Sequence, residues 1–428
     1  MPHHNARLLQ PATRAELESL VATIESYPEA VGRVADKAWG QLLRLDRVPP
    51  HSAMIIKQEL LAVGGDALMT PEAYLGASAE PTPLLAWASA RGWAGLCRKL
   101  ALFPVPALQQ LGAEIAAALG SQSAARGELR VGGALWRWGA RTLVMGIINA
   151  TPDSFSQDGL LGDGLAEAAA RQAGEFAAAG ADMLDIGGES TRPGAKPVAA
   201  EEELRRVLPA IAAARAACDL PISIDTAKAE VAAQALAAGA AIINDIWGLR
   251  LPEGGWNADL ARVAAESGAP IILMHNRRAR NATTANVGHF AGVEYGDLAG
   301  EVAAELRECV AYAESQGIAR ERIIIDPGIG FGKTPDHNIA LLRRLRELGS
   351  LGLPLLVGTS RKSFIGLATG AAPGERVFGT AATVSHAISQ GADIVRVHDV
   401  AAMAQVCAMT DAIVRPGAWE RLTAGSAT

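Results

Sequence analysis

The sequence is poor in cysteine, lysine and aromatic residues, and it has no long apolar run. Its four cysteines, Cys97, Cys218, Cys309 and Cys407, lie far apart and form no C-x-x-C pair. That excludes a disulfide scaffold or a zinc ribbon and leads to a reducing, cytoplasmic setting. No uninterrupted apolar stretch reaches the ~18 residues of a membrane span, so no membrane partner is expected. Residues 1–5 lack a basic segment followed by an apolar one, so no secretory leader is expected. A basic excess is also missing: the formal net charge is −6. A phosphate backbone calls for a basic surface, so nucleic acid is not expected as a partner. Only seven of the 39 basic residues are lysine, which gives weight to the few that sit in glycine-rich loops. Hydrophobic residues make up 50% of the chain and charged residues 20%, enough for a sizeable core. At 428 residues, the length suggests two domains or one large barrel with an extension.

The composition changes near residue 127. Residues 1–127 read as a mostly helical extension of unassigned role. Apolar residues fall at helical spacing in segments 17–21, 55–61 and 84–87 (Leu84-Leu85-Ala86-Trp87). Pro49-Pro50, Gly64-Gly65 and Pro81-Thr82-Pro83 punctuate them, and a short polar linker is read after residues 119–123. From 128 to 428 the rhythm differs. Segment 129–144 reads as a hairpin with Gly132-Gly133 and Gly139 as its turn residues. Eight compact apolar runs follow, at 143–149, 183–188, 222–225, 242–246, 271–276, 323–327, 355–360 and 394–399. Continuous rather than alternating runs are how strands buried on both faces of a parallel sheet read. Alanine-rich helical stretches separate them. Eight strand-then-helix units predict an α/β fold, a (β/α)8 TIM barrel behind the helical extension. An open doubly wound sheet is the structural alternative, and the count of eight favours closure.

Polar residues gather at the C-terminal ends of these runs, where this fold builds its active sites. They include Asn149, Asp225, Asn244, His275, Asp326, Lys362, Arg396 and His398. Singly, such residues often serve as helix caps or turn residues, and Thr226 and Asp336 are read that way. His275 taken alone could be a satisfied histidine, and mid-strand Asp185 could serve inner packing. A cap needs no arginine, histidine or lysine, so the set as a whole points to a site. Asp225, Asn244, Asp326 and Lys362 offer donors and acceptors suited to a flat, nitrogen-rich heterocycle. Arg396, His398 and Asn149 form an anion-facing group, and the Asn149 carbonyl could also serve a hard cation such as Mg²⁺. The pairing suggests a phosphorylated heterocyclic substrate. Segment 328–334 ends in the Gly-Lys-Thr of a phosphate-binding loop, but Pro327 stands where its first glycine is required, so that reading is rejected. Lys333 within it is given a structural or solvent-facing role.

These motifs, in this order, resemble dihydropteroate synthase, the pterin-binding barrel family of folate biosynthesis. The matching segments are 145–156, 185–195, 225–226, 244–245, 274–277, 326–333, 360–363 and 396–399, so the resemblance covers about residues 140–415. It implies condensation of (7,8-dihydropterin-6-yl)methyl diphosphate with 4-aminobenzoate, giving 7,8-dihydropteroate and diphosphate, with Mg²⁺ as cofactor. By resemblance, Asp225, Asn244, Asp326 and Lys362 would hold the pterin. Asn149, Arg396 and His398 would hold the diphosphate, Asn149 also serving the metal, and Thr191 and Arg192 would help cover the site. Phe155, Pro193 and Ser363 would line the 4-aminobenzoate pocket. Asn149, Lys362, Arg396 and His398 carry the catalytic roles. The resemblance also implies small-molecule substrates and a homodimer. Two readings stay beside it, a non-catalytic pterin-binding paralogue and a methyltetrahydrofolate-binding methyltransferase. The anion-facing Arg396 and His398, with segment 189–194, argue against the second.

Overall fold

The computed structural model describes residues 9–24, 27–123, 127–151, 163–190, 197–277, 293–415 and 417–425. The chain divides into two compact units, Met1–Gly120 and Ser121–Thr428.

The first unit is mainly helical but is built on a three-stranded antiparallel sheet. Its strands are β1 (Gly40–Val48), β2 (Asp66–Leu68) and β3 (Thr82–Ser89), in the order β1-β3-β2. The helical reading of residues 84–87 is thereby corrected. Leu84, Ala86 and Ala88 point into the core while Leu85 and Trp87 point out, a period of two. The alternation is hard to read because the outward residues are apolar as well. Pro83 sits in the central strand where the register slips between Leu45 and Val48, so its missing N–H breaks no regular ladder. Ile56, Leu60, Leu84, Trp93, Leu96 and Leu100 form this unit's core. The helix Pro106–Ser123 runs up to the expected polar linker, and residues 124–126, where that linker would begin, lie outside the described residues.

The second unit opens with a hairpin, β4 (Glu128–Val131) and β5 (Ala134–Arg137), turning on Gly132 and Gly133. Both glycines have positive φ (52° and 88°), as a two-residue hairpin turn requires. Eight parallel strands follow. They are β6 (Leu143–Asn149), β7 (Met183–Gly187), β8 (Ile222–Asp225), β9 (Ile242–Asp245), β10 (Ile271–Met274), β11 (Ile323–Asp326), β12 (Leu356–Val357) and β13 (Ile394–Val397). The sheet runs β11-β10-β9-β8-β7-β6-β13-β12. A parallel bridge between Ile325 and Leu355, with the Ile325 N–H donated to the Pro354 carbonyl at 3.0 Å, joins its two ends into a barrel.

The two-residue period of the strands sorts the barrel interior into layers. Met145, Met183, Ile242, Ile272, Ile324, Leu356 and Ile394 share one apolar cluster with Leu129, Val131, Trp136 and Trp138 of the hairpin region. The hairpin therefore packs on the N-terminal layer of the barrel's interior. Two residues further along the same strands come Asp185, Asn244, Asp326 and Arg396. Four of the strands, β7, β9, β11 and β13, thus spend the first inward position on packing and the next on polar chemistry. The intervening residues Leu184, Ile186, Ile243, Ile325 and Val395 face outward into the larger core beneath the helices.

Candidate active site

The inward polar residues form one bonded set at the C-terminal rim. Arg396, near the end of β13, donates from Nε to Asp185 Oδ2 at 2.6 Å and from Nη2 to Asp225 Oδ2 at 2.7 Å. Asn244 on β9 donates from Nδ2 to the same Asp185 oxygen at 3.0 Å. Asp185 is wholly buried and its second oxygen has no partner among the described residues. Sequence reasoning left Asp185 as a packing residue. Its place on the inward face two residues after Met183 was the available signal.

Burial pushes the Asp225 carboxyl up to about 7; Arg396 opposes the rise and the Asp185 charge adds to it. Burial likewise raises Asp326, against the pull of Lys362 and of the Gly328 N–H. For Arg396, burial works against the charge, but Asp185 and Asp225 outweigh it and raise its pKa. A row of carboxylates held in a poorly hydrated mouth can accept N–H groups of a heterocycle strongly, because there is little water to compete.

Asp326 Oδ1 accepts the Gly328 N–H at 2.7 Å. Gly328 has φ +65°, and a Cβ there would fall 1.9 Å from the His275 carbonyl oxygen, so only glycine fits. Lys362 donates to the Ile329 carbonyl and sits 4.9 Å above the Phe331 ring. The chain reaches Lys362 through Arg361, a non-glycine residue at φ +57°. Arg361 Nε donates to Asp399 Oδ2 at 3.0 Å, and its backbone N–H to Thr380 Oγ1 at 3.1 Å. These contacts offset the strain of that left-handed turn. Ser363 follows as the exposed first residue of the helix Ser363–Thr369. His398, just beyond β13, has its Nδ1 2.9 Å from Ser360 Oγ, which also accepts the His398 N–H at 3.1 Å. Asn149 ends β6, half-buried, and no hydrogen bond engages its side chain among the described residues.

The structure thus brings Asp225, Asn244 and Arg396 together through Asp185, and sets Asp326 and Lys362 on either side of the turn at residues 328–332. Arg396 reaches the heterocycle-facing carboxylates, so the two groups sorted from sequence are joined through it. Phe155, Thr191, Arg192 and Pro193 lie outside the described residues. Thr226 is a turn residue, as read: its Oγ1 accepts the Lys228 N–H at 3.2 Å. Thr334, and not Asp336, caps the helix Pro335–Arg343. Lys333 is fully buried rather than solvent-facing, because His275 and two backbone carbonyls surround its amine.

Among the described residues no group of three His, Cys, Asp or Glu side chains could hold a metal by itself. Mg²⁺ commonly keeps several waters and takes one or two protein oxygens alongside substrate phosphates. The side-chain carbonyl of Asn149, unspent among the described residues, fits that mode.

The pterin binding enzyme family model matches residues 145–398. The dihydropteroate synthase of Synechocystis sp. is 51% identical over 288 residues, covering 67% of this chain and 95% of that protein. A probable bifunctional folylpolyglutamate synthase/dihydropteroate synthase of Haloferax volcanii is 41% identical over 363 residues, covering 83% of this chain and 41% of that protein. That span is longer than the barrel unit, so the match runs into the N-terminal unit. The solved dihydropteroate synthase of Xanthomonas albilineans in complex with 7,8-dihydropteroate superposes with a TM-score of 0.57 at 40% identity, over 67% of this chain and 98% of that one. With its rim of inward carboxylates, amide, arginine and lysine on an eight-stranded barrel, the chain belongs to the pterin-binding enzymes, in the dihydropteroate synthase family.

Proposed function

We infer that the chain catalyses the dihydropteroate synthase reaction: the amino nitrogen of 4-aminobenzoate forms a C–N bond to the pterin's exocyclic methylene as the C–O bond to diphosphate breaks. The observation that carries this reading is the bonded rim Asp185–Arg396–Asp225 with Asn244, facing Asp326 and Lys362. Its donors and acceptors complement those of a pterin ring. In this reading Asp225, Asn244, Asp326 and Lys362 hold the pterin. Asn149, Arg396 and His398 hold the diphosphate, and Thr191 and Arg192 help cover it. Phe155, Pro193 and Ser363 line the 4-aminobenzoate pocket.

The reacting carbon is attached to an electron-rich ring, so it tolerates positive charge as the leaving group departs. The protein's work is then to bind diphosphate, to hold a weakly nucleophilic aniline nitrogen in line and to exclude water. No covalent nucleophile of the protein is required, and the cysteines stand apart from the rim. Asn149 would hold Mg²⁺ together with the diphosphate, and the bound ion would neutralise charge that develops on the leaving group.

The chemistry is assigned to the barrel unit, and no activity to the N-terminal one. A homodimer belongs to the same reading. Leu367, Phe378, Met409 and Ile413 are large apolar side chains left exposed on the C-terminal helices, which supports it. No helix of the described residues is long and apolar enough to cross a membrane, and the four cysteines are free. Both fit the cytoplasmic setting that the reading includes. Calorimetry of the full chain with the pterin diphosphate, with and without Mg²⁺, tests the site. Binding that tightens with Mg²⁺ and weakens in D225N and K362A is expected. Preferential binding of 5-methyltetrahydrofolate, indifferent to diphosphate, would instead favour the methyltransferase.

A further inference from the structure

Lys333 is uncommon: a long amine-bearing side chain with 0% exposure, whose pKa burial lowers well below the usual lysine value while Asp326 and Glu305 support its charge. Its Nζ lies 2.8 Å from His275 Nδ1, 3.0 Å from the Gly328 carbonyl and 3.1 Å from the Phe331 carbonyl. Three acceptors thereby meet the three donors of an ammonium. His275 is kept neutral by burial and by the Lys333 charge, with its pKa lowered to about 4, so its Nδ1 can accept. Its Nε2 stands 3.0 Å from Glu305 Oε2, and Arg277 donates from Nε to Glu305 Oε1 at 2.8 Å. Burying an amine is costly unless its hydrogen bonds are met, and a methionine would fill the same space without that cost.

What the amine holds is the turn at residues 328–332, and that turn touches two groups of the rim. The Gly328 N–H goes to Asp326 Oδ1, the Ile329 carbonyl accepts from Lys362, and the Phe331 ring lies under the Lys362 amine. Asn338 takes the Gly330 N–H at 2.7 Å, and Tyr295 donates to the Gly332 carbonyl at 2.9 Å. Those two bonds steady the turn's outer side, while Lys333 pins it from within.

We propose that Lys333 is a positioning residue of the pterin site, fixing the turn from behind with His275 so that Asp326 and Lys362 are presented in one arrangement. The proposal rests on the pterin reading above. Lys333 itself touches no substrate.

The test uses the full chain and three variants, K333M, H275Q and H275N. An asparagine side chain places its oxygen near the position of imidazole Nδ1, whereas glutamine reaches toward Nε2. K333M and H275Q are expected to raise the KM for the pterin diphosphate about tenfold or more, with kcat within about threefold. Calorimetric binding of the pterin diphosphate should weaken by the same factor. H275N, which keeps an acceptor for Lys333, should stay within about threefold of wild type. A purely structural lysine would lower the unfolding midpoint without this split between KM and kcat, and would not separate H275N from H275Q. A folded K333M that binds the pterin diphosphate as wild type does, or histidine variants that fall together, overturns the proposal. If K333M does not fold, the two histidine variants decide. If the wild-type chain does not bind the pterin diphosphate at all, the functional reading falls, and this one with it.

Discussion

Replacing Asp185 by asparagine tests the rim at its hidden member. D185N keeps the volume, so no cavity opens. What changes is that Oδ2, which accepts from Arg396 at 2.6 Å and Asn244 at 3.0 Å, must be replaced by either end of an amide. With its NH2 turned there, donor meets donor and both bonds are lost. With its oxygen turned there, the Arg396 bond keeps only the guanidinium's charge and the Asn244 bond becomes neutral, and the NH2 points where Oδ1 already lacks a partner among the described residues. A hydrogen bond to a charged group is worth about 1.5–3 kcal/mol and a neutral one about 0.5–1.5 kcal/mol. Losing both would cost roughly 3–6 kcal/mol, and keeping weakened bonds recovers about half of it or more. A net loss of about 1–3 kcal/mol is expected, a five- to hundredfold fall if expressed in kcat/KM. Urea unfolding and steady-state kinetics on the same preparation divide this loss between stability and turnover. Since Asp185 and Asp225 share Arg396, D185N and D225N should be non-additive, with a coupling of about 0.5 kcal/mol or more. Wild-type stability and kcat/KM in D185N, or strict additivity with D225N, would refute the reasoning.

Other outcomes follow from the same geometry. Only an ionised Asp225 can accept on both oxygens. Because its pKa is pushed up to about 7, pterin affinity should fall as pH drops through that value, and D225N should bind weakly with that pH dependence gone. A dependence that persists unchanged in D225N would assign it to another group. The raised value also means that the folded state holds this proton between about pH 4 and 7 while the unfolded chain releases it, so Asp225 itself favours folding below that window and less as pH rises through it. K362A should abolish most turnover while leaving the urea midpoint near wild type, because Lys362 is only half-buried and stands at the rim rather than in the core; a large loss of stability with intact turnover would contradict this. A chain beginning near residue 128 should keep the chemistry, since the barrel has its own core and every rim residue lies within it. A folded but inactive product would give the N-terminal unit a part in the site. 4-Aminobenzoate should bind appreciably only with diphosphate and Mg²⁺ present, a contrast calorimetry reads directly; equal affinity without them would uncouple the two pockets.

Much of the barrel was legible because its strands are unbroken apolar runs ending in polar residues, and the helices between them are alanine-rich. The rim was legible for the same reason: Asp225, Asn244, Asp326, Arg396 and His398 stand at or just beyond strand ends, and Lys362 lies in the loop that follows β12, just before the helix Ser363–Thr369. Partnerships were not. Arg396 lies 211 residues from Asp185 and 171 from Asp225, and only barrel closure brings them within a hydrogen bond. Asp185 was open to an inner-packing reading because its partners Arg396 and Asn244 lie 211 and 59 residues away along the chain. Lys333 stayed open between a structural and a solvent-facing role because its acceptors are two carbonyls and a histidine on another strand's end. In the N-terminal unit, Leu85 and Trp87 on the open face of β3 hid the alternation that marks a half-buried strand.

The most direct test of the assigned chemistry is product formation by the purified full chain. Incubated with (7,8-dihydropterin-6-yl)methyl diphosphate, 4-aminobenzoate and Mg²⁺, it should yield 7,8-dihydropteroate and diphosphate in equal amounts, identified by mass spectrometry over many turnovers. Tight binding of the pterin diphosphate with no dihydropteroate formed would contradict the synthase reading and leave a pterin-binding protein without this activity.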